Sequence, residues 1–497
     1  MEATKHSIEQ LCNITSDNVS KMMTMLRSDL SLEESIKNAN PQNPDCKNYV
    51  EILKIAQGLR VGTVFSLIDT GSLLSSEIRA TTPIEKRFLM KSTYASIAEG
   101  YKLIYSFGKA KKHAYLSKLK KICPDEFKIK IEGIENKLNS FEESHLKDKV
   151  LRNVAYHYNN DMLVVYDKTL EMSSDEDFAR IIIAYLDILN DIYLLIDEIR
   201  CMCVPHVCIP TITSQTDIGM INSGIHQAII KEMRTNHIHE IIPNNLISSA
   251  KTMDGISRSM RMSQKVKKIM VEKGITDDSI TRAADNVYEM QNTYLIMQFY
   301  YIDIASIVMA YLNAAYYSEN ILIIRRMHIT YVSILDHLFG YSEEHQKVSF
   351  LQKIIGIIPL ENTMLMQEAT EIKSQIEQLI DENDNSLRHL FVHYAENNGD
   401  NVHFIGEIVK RLDGLNPSIE LSKSKKLLIV CRRIQSLLKE LLDVLAKEAE
   451  NSRKESEKEL NLQFETIYKK IEKSKVSQEE KNKFTLSFKA IQDEIVH

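Results

Sequence analysis

The chain has 497 residues, a net charge of −6, 44% hydrophobic residues and 26% charged residues. That length exceeds one ordinary core and predicts two to four domains, and the composition is that of a soluble globular protein. The acidic balance excludes a globally basic nucleic-acid coat and leaves room only for a local basic groove.

From the start, "MEATKHSIEQLCNITSD" has no cationic stretch followed by an apolar one, so it does not read as a secretory signal. Seven Cys without a regular framework suit a reducing compartment, and the expected location is cytoplasmic. Pro is absent from 125–204, 244–358 and 418–497, where Leu, Ile, Lys and Glu abound, which favours helices. In "RIIIAYLDILNDIYLLIDEI" (180–199) apolar residues recur every three or four positions, and 424–450 behaves alike. "CMCVPHVCIPTITSQTDIG" opens a different segment, in which Pro205 and Pro210 stop the preceding helix. The apolar run 294–317 nears membrane length, yet Gln298, Asp303, Asn313 and its tyrosines make it a buried core helix, with no membrane partner expected. The tail from 447 mixes charges of both signs, as a solvated or partner-docking helix does. No stretch alternates with period two between turns, so the expected fold class is all-α.

Internal repetition organises this chain. "TYASI" at 93–97 matches "TYVSI" at 330–334, "YLSKLKKI" at 115–122 matches "FLQKIIGI" at 350–357, and "LRNVAYHY" at 151–158 matches "LRHLFVHY" at 387–394. The offsets are 237, 235 and 236, in one order. The reading is two homologous helical-bundle domains related by a pseudo-two-fold duplication, 50–200 and 285–450. An N-terminal helical segment (1–49), a helical linker subdomain (201–284) and a charged helical tail (451–497) complete the expected organisation.

On a helix, Leu151, Ala155 and Tyr158 form an apolar stripe, as do Leu387, Phe391 and Tyr394. Asn153 and His157 lie beside the first stripe as i, i+4 neighbours, and His389 and His393 beside the second. Arg152 and Arg388 begin each cluster, and their long side chains can swing toward the His face. An imidazole moves protons near pH 7, and a guanidinium clamps phosphate oxygens bidentately as charge grows. RNA brings its own nucleophile, the 2′-OH, so such a set needs positioning and acid–base help rather than a metal. Two such helices face to face would supply a symmetric pair of each group.

Arg, a polar residue, three residues and His on a helix of an all-α domain resembles the Arg-x4–6-His signature of the HEPN superfamily. "RNVAYH" resembles its Arg-Asn form, and "RHLFVH" a variant with His in second position. The resemblance implies helical bundles that dimerise so that two motifs build one composite, metal-independent endoribonuclease site, used in antiviral defence or toxin-type stress responses. It assigns catalysis to Arg152, Asn153, His157, Arg388, His389 and His393, with RNA as substrate and no cofactor. It leaves room for an activating partner, a guide RNA or an antitoxin, and for homo-oligomers. Some family members only bind, so the rival reading is a non-catalytic helical RNA- or protein-interaction module.

Other signals are weaker. "RTNHIH" (Arg234 to His239) also fits the spacing but lacks a repeat partner and runs into Pro243. Cys201, Cys203, His206 and Cys208 have zinc-ligand chemistry, but their spacing is tighter than Cys-x2-Cys and no second pair follows, so no metal is expected. P-loop, GxGxxG and HExxH patterns do not occur.

Overall fold

Good helix formers without Pro leave the backbone one economical way to satisfy its N–H and C=O groups, and the chain takes it almost throughout. The computed structural model describes residues 2–146, 161–171, 175–210, 219–272, 278–341, 346, 349–392, 405–475 and 477–496. Among these the fold is all-α. The first helices are α1 (Glu2–Lys37), α2 (Lys47–Ile78), α3 (Pro83–Ile104), α4 (Tyr115–Ile122), α5 (Asp125–Phe141), α6 (Met162–Glu171) and α7 (Asp175–Cys203). Next come α8 (Gly219–Thr235) and α9 (Ile238–Glu272). The rest are α10 (Asp278–Asn313), α11 (Tyr317–Leu338), α12 (Phe350–Ile357), α13 (Thr363–Glu377), α14 (Glu382–Val392), α15 (Ile405–Gly414), α16 (Pro417–Lys473) and α17 (Gln478–Val496). The sequence predicts no sheet, and the structure has one short antiparallel ladder. It pairs β1 (Asn40–Pro41) with β2 (Val207–Cys208), where the chain leaves α7 at Pro205.

By compactness the chain divides into two units, residues 1–357 with 370–433, and residues 358–369 with 434–497. In the first, α2, α3, α10 and α11 form the centre. Among the described residues α10 alone is long and apolar enough to cross a membrane, and 94% of its most apolar window is buried inside the protein. Close approach matters at Gly100 of α3. A Cβ there would collide with Ser66 Oγ and Tyr185 Oη, which hydrogen-bond to each other at 2.7 Å. In the second unit, Leu437, Leu438 and Leu441 are buried, while Leu462 and Leu486 are exposed.

Helices of equal length occur in the same order in the two halves of the chain. α3 and α11 both have 22 residues, α4 and α12 both have 8, and α6 and α15 both have 10. The buried positions recur with them. α4 buries Tyr115, Leu116 and Leu119, and α12 buries Phe350, Leu351 and Ile354, a match at one constant offset of 235. α6 buries Met162, Leu163, Val165, Tyr166 and Thr169, and α15 buries Ile405, Ile408, Val409 and Leu412; all but Leu163, which matches the exposed Gly406, correspond at an offset of 243. At the starts of α3 and α11, a third-position glutamate caps the backbone. Glu85 Oε2 accepts from Thr81 N at 2.8 Å, and Glu319 Oε2 accepts from Ala315 N at 2.8 Å.

Buried charges in the centre are paired across α2–α11 and α3–α10. Asp69 of α2 accepts from Arg325 Nη1 at 2.7 Å and from Arg326 Nη2 at 2.5 Å, both on α11. Lys91 of α3 donates to Asp303 of α10 at 2.6 Å and 2.5 Å. Asp69 and Asp303 stand at a sequence offset of 234, as do Lys91 and Arg325, and as do Glu85 and Glu319. α6 packs on α3 and α10, and α15 packs on α11 and α2.

Candidate functional site

The first motif, Arg152, Asn153 and His157, and His393 of the second lie outside the described residues. The structure therefore places Arg388 and His389, both on α14. That helix carries Glu382 and Asp384 in its first turn, where acidic groups complement the helix dipole. Its buried face is Asp384, Arg388, Phe391 and Val392, packed on α11, and His389 is exposed.

Arg388 is a point of difference from the sequence reading, which sets it beside an apolar stripe. Its guanidinium is buried instead. Nε donates to Ser333 Oγ at 3.0 Å, and Nη1 lies 3.8 Å from Asp336 Oδ2, both on α11. Burial lowers the Arg388 pKa, and the Asp336 carboxylate opposes that shift. As placed, Arg388 braces α14 against α11. Phe391, at the expected stripe position, is fully buried, while Leu387 is half-buried.

Groups distant in sequence hold the two ends of α14. Asp384 accepts from Lys423 Nζ at 2.6 and 2.7 Å. The Asp384 carbonyl lies 3.1 Å from His328 Nε2, while His328 Nδ1 lies 3.0 Å from Glu420 Oε2. The His328 ring meets Phe391 edge-on at 5.7 Å. At the other end Arg325 Nη2 donates to the carbonyl of Phe391 at 2.5 Å, while its Nη1 reaches Asp69. One fully buried guanidinium thus connects α2 to the backbone just ahead of His393 in sequence. Burial by itself would raise the Asp69 carboxyl, but Arg325 and Arg326, with a hydrogen bond from Ser96 at 2.5 Å, hold it below the usual carboxylate range. Tyr94, 234 residues before His328, donates to the carbonyl of His145 at 2.5 Å, just ahead of the first motif.

Sequence reading missed Asp69, Lys91, Arg325 and Arg326. The signal was available: "NILIIRRMHITYVSIL" sets two arginines inside an apolar helix, and charges buried that deeply require partners.

Other marked residues fall elsewhere. Arg234 closes α8 and His239 lies in α9. Between them His237 takes a left-handed φ of 55°, so "RTNHIH" is split over two helices. Cys203 is buried, Cys201 and Cys208 are exposed, and the His206 ring stacks on Tyr49 at 4.3 Å. Among the described residues no three His, Cys, Asp or Glu side chains gather in a way that could hold a metal ion. Comparison with family models, curated proteins and solved structures finds no match.

Proposed function

We propose that this chain is an intramolecular pseudo-dimer of two helical domains whose motif segments together form one phosphodiester-cleaving site. On the motif residues, we read it as a metal-independent endoribonuclease of the HEPN type. The observation that carries this reading is the reciprocal pair of buried ion pairs, Asp69–Arg325 and Lys91–Asp303, related by one sequence offset of 234. In an isologous interface residue i meets j and j meets i. A duplicated chain folded on itself reproduces that rule within one molecule. The matched helix lengths, the matched buried faces of α4 with α12 and of α6 with α15, and the matching capping glutamates support the same reading.

In this mechanism the substrate's 2′-OH attacks the adjacent phosphorus and the 5′-oxygen leaves. His157 and His393 serve as the proton acceptor and donor, and Arg152 holds the non-bridging oxygens. Asn153 and His389 supply hydrogen bonds at the second position of each motif. Arg388, buried on Ser333 and Asp336, braces its helix, a duty the sequence alone does not distinguish from that of Arg152. The segment 201–284 and the charged tail are the parts that would receive an activating partner or trigger, in a cytoplasmic defence or stress response.

The test is RNA cleavage by His157→Ala, His393→Ala and the double variant. In a composite site each single change removes most of the activity and the double is hardly worse, because groups acting as one unit are not additive. Half-activity in each single variant would mean two separate sites. The second reading, a non-catalytic interaction module, is favoured by the structural pairing of Arg388, and it is upheld if all variants and the wild type leave RNA intact.

A further inference from the structure

The interposed segment brings α8 against α10 and α11. His226 of α8 anchors it there. Its Nδ1 lies 2.8 Å from the Tyr311 hydroxyl, and its ring meets Tyr317 edge-on at 5.2 Å. Burial lowers this imidazole to about 4, so it is neutral at pH 7.

Between α8 and the turn joining α10 to α11 lies a groove of about 650 Å³, lined in part by Gln227, Lys231, Arg234, Tyr316, Tyr317 and Asn320. That volume is within the range of small-molecule sites. Lys231 and Arg234 stand one helical turn apart on the same wall. Lys231 has no ion-pair partner among the described residues, and Arg234 spends one donor on the Leu312 carbonyl at 2.9 Å, leaving its others available. On the facing wall Asn320 is buried, with its Oδ1 sealed from the groove. Tyr316, part of the same wall, is exposed.

Two cations call for an anion, and the Tyr316 ring for a planar group. We propose that this groove binds a nucleoside monophosphate unit, with phosphate on Lys231 and Arg234 and base over Tyr316. The unit occurs both as a free nucleotide and as the 5′-phosphorylated end of an RNA. The assignment is independent of the ribonuclease reading, because none of these residues belongs to either repeated motif.

Isothermal titration of the full chain with AMP, adenosine, inorganic phosphate and a 5′-phosphorylated oligoribonucleotide tests it. Saturable binding of AMP or of the oligonucleotide is expected, with adenosine and phosphate each weaker by about tenfold or more. AMP binding alone assigns the groove to free nucleotides; tighter oligonucleotide binding assigns it to RNA ends, and both results uphold the proposal. Lys231→Glu, on an exposed side chain, should weaken binding about tenfold or more, and Tyr316→Ala about fivefold or more. Three results overturn the proposal: no saturation by AMP or the oligonucleotide to about millimolar concentration, phosphate binding as tightly as AMP, or affinities unchanged in Lys231→Glu.

Discussion

Replacing Asp69 by Asn removes a single negative charge from a place where two guanidiniums have been taken out of water to meet it. Asp69 and Arg325 are fully buried and Arg326 nearly so. The amide keeps the shape and one acceptor oxygen, so the change isolates charge from packing. Breaking a buried ion pair costs about 3–5 kcal/mol, because the stranded partner keeps its desolvation penalty. Here two cations are stranded, and a third consequence follows for the Phe391 carbonyl that Arg325 holds. Set against a typical stability of about 5–15 kcal/mol, the loss is a large fraction of the whole. Urea unfolding followed by circular dichroism reads it as a lower midpoint. Asp303→Asn, which strands Lys91, should fall in the same range, whereas Asp17→Asn at the exposed Lys21 pair should leave the midpoint unchanged. The Asp69 carboxylate is held below its unfolded range. Its contribution is therefore full above the unfolded pKa of about 4 and is lost as the pH falls through the lower folded value. A midpoint for Asp69→Asn within about 1 kcal/mol of wild type would refute the idea that these charges carry the centre of the fold.

Burial holds His226 near 4, below its unfolded value, so the unfolded chain binds the proton first and stability falls as pH drops from about 6.5 toward 4. His226→Gln should flatten that slope by about 1.4 kcal/mol per pH unit in urea titrations between those limits, and an unchanged slope would count against a neutral, buried imidazole. Arg388→Ala should destabilise by about 1–3 kcal/mol through Ser333 and Asp336, measured by the same unfolding curves, where a bracing role predicts loss even without RNA.

Helix after helix was legible because burial follows a spacing of three and four. In "YLSKLKKI" and "FLQKIIGI" the residues at positions one, two and five are the buried ones, as the pattern requires. The register of the proposed duplication was harder to read. "TYASI" and "TYVSI" match at an offset of 237, but the ends of α3 and α11, their capping glutamates and the ion pairs coincide at 234. A slip of three positions on a helix is nearly one turn and keeps the same face toward the core, so apolar matching alone barely penalises it. Asp303 was visible as a charge inside an apolar run, yet its partner Lys91 is 212 residues away and nothing local points to it. The inward turn of Arg388 was hidden for the same reason, since Ser333 and Asp336 come from another helix. The two-residue ladder of Asn40–Pro41 with Val207–Cys208 is too short to leave a periodic trace.

A composite site of the two motifs should cut RNA without a metal. The direct measurement is incubation of the purified chain with mixed RNAs in excess EDTA, followed by end-group analysis of any fragments. Cleavage should survive the chelator and give fragments ending in 2′,3′-cyclic phosphate, because the substrate's own hydroxyl is the nucleophile. Cleavage abolished by EDTA and restored by Mg²⁺, or fragments lacking the cyclic end, would contradict it.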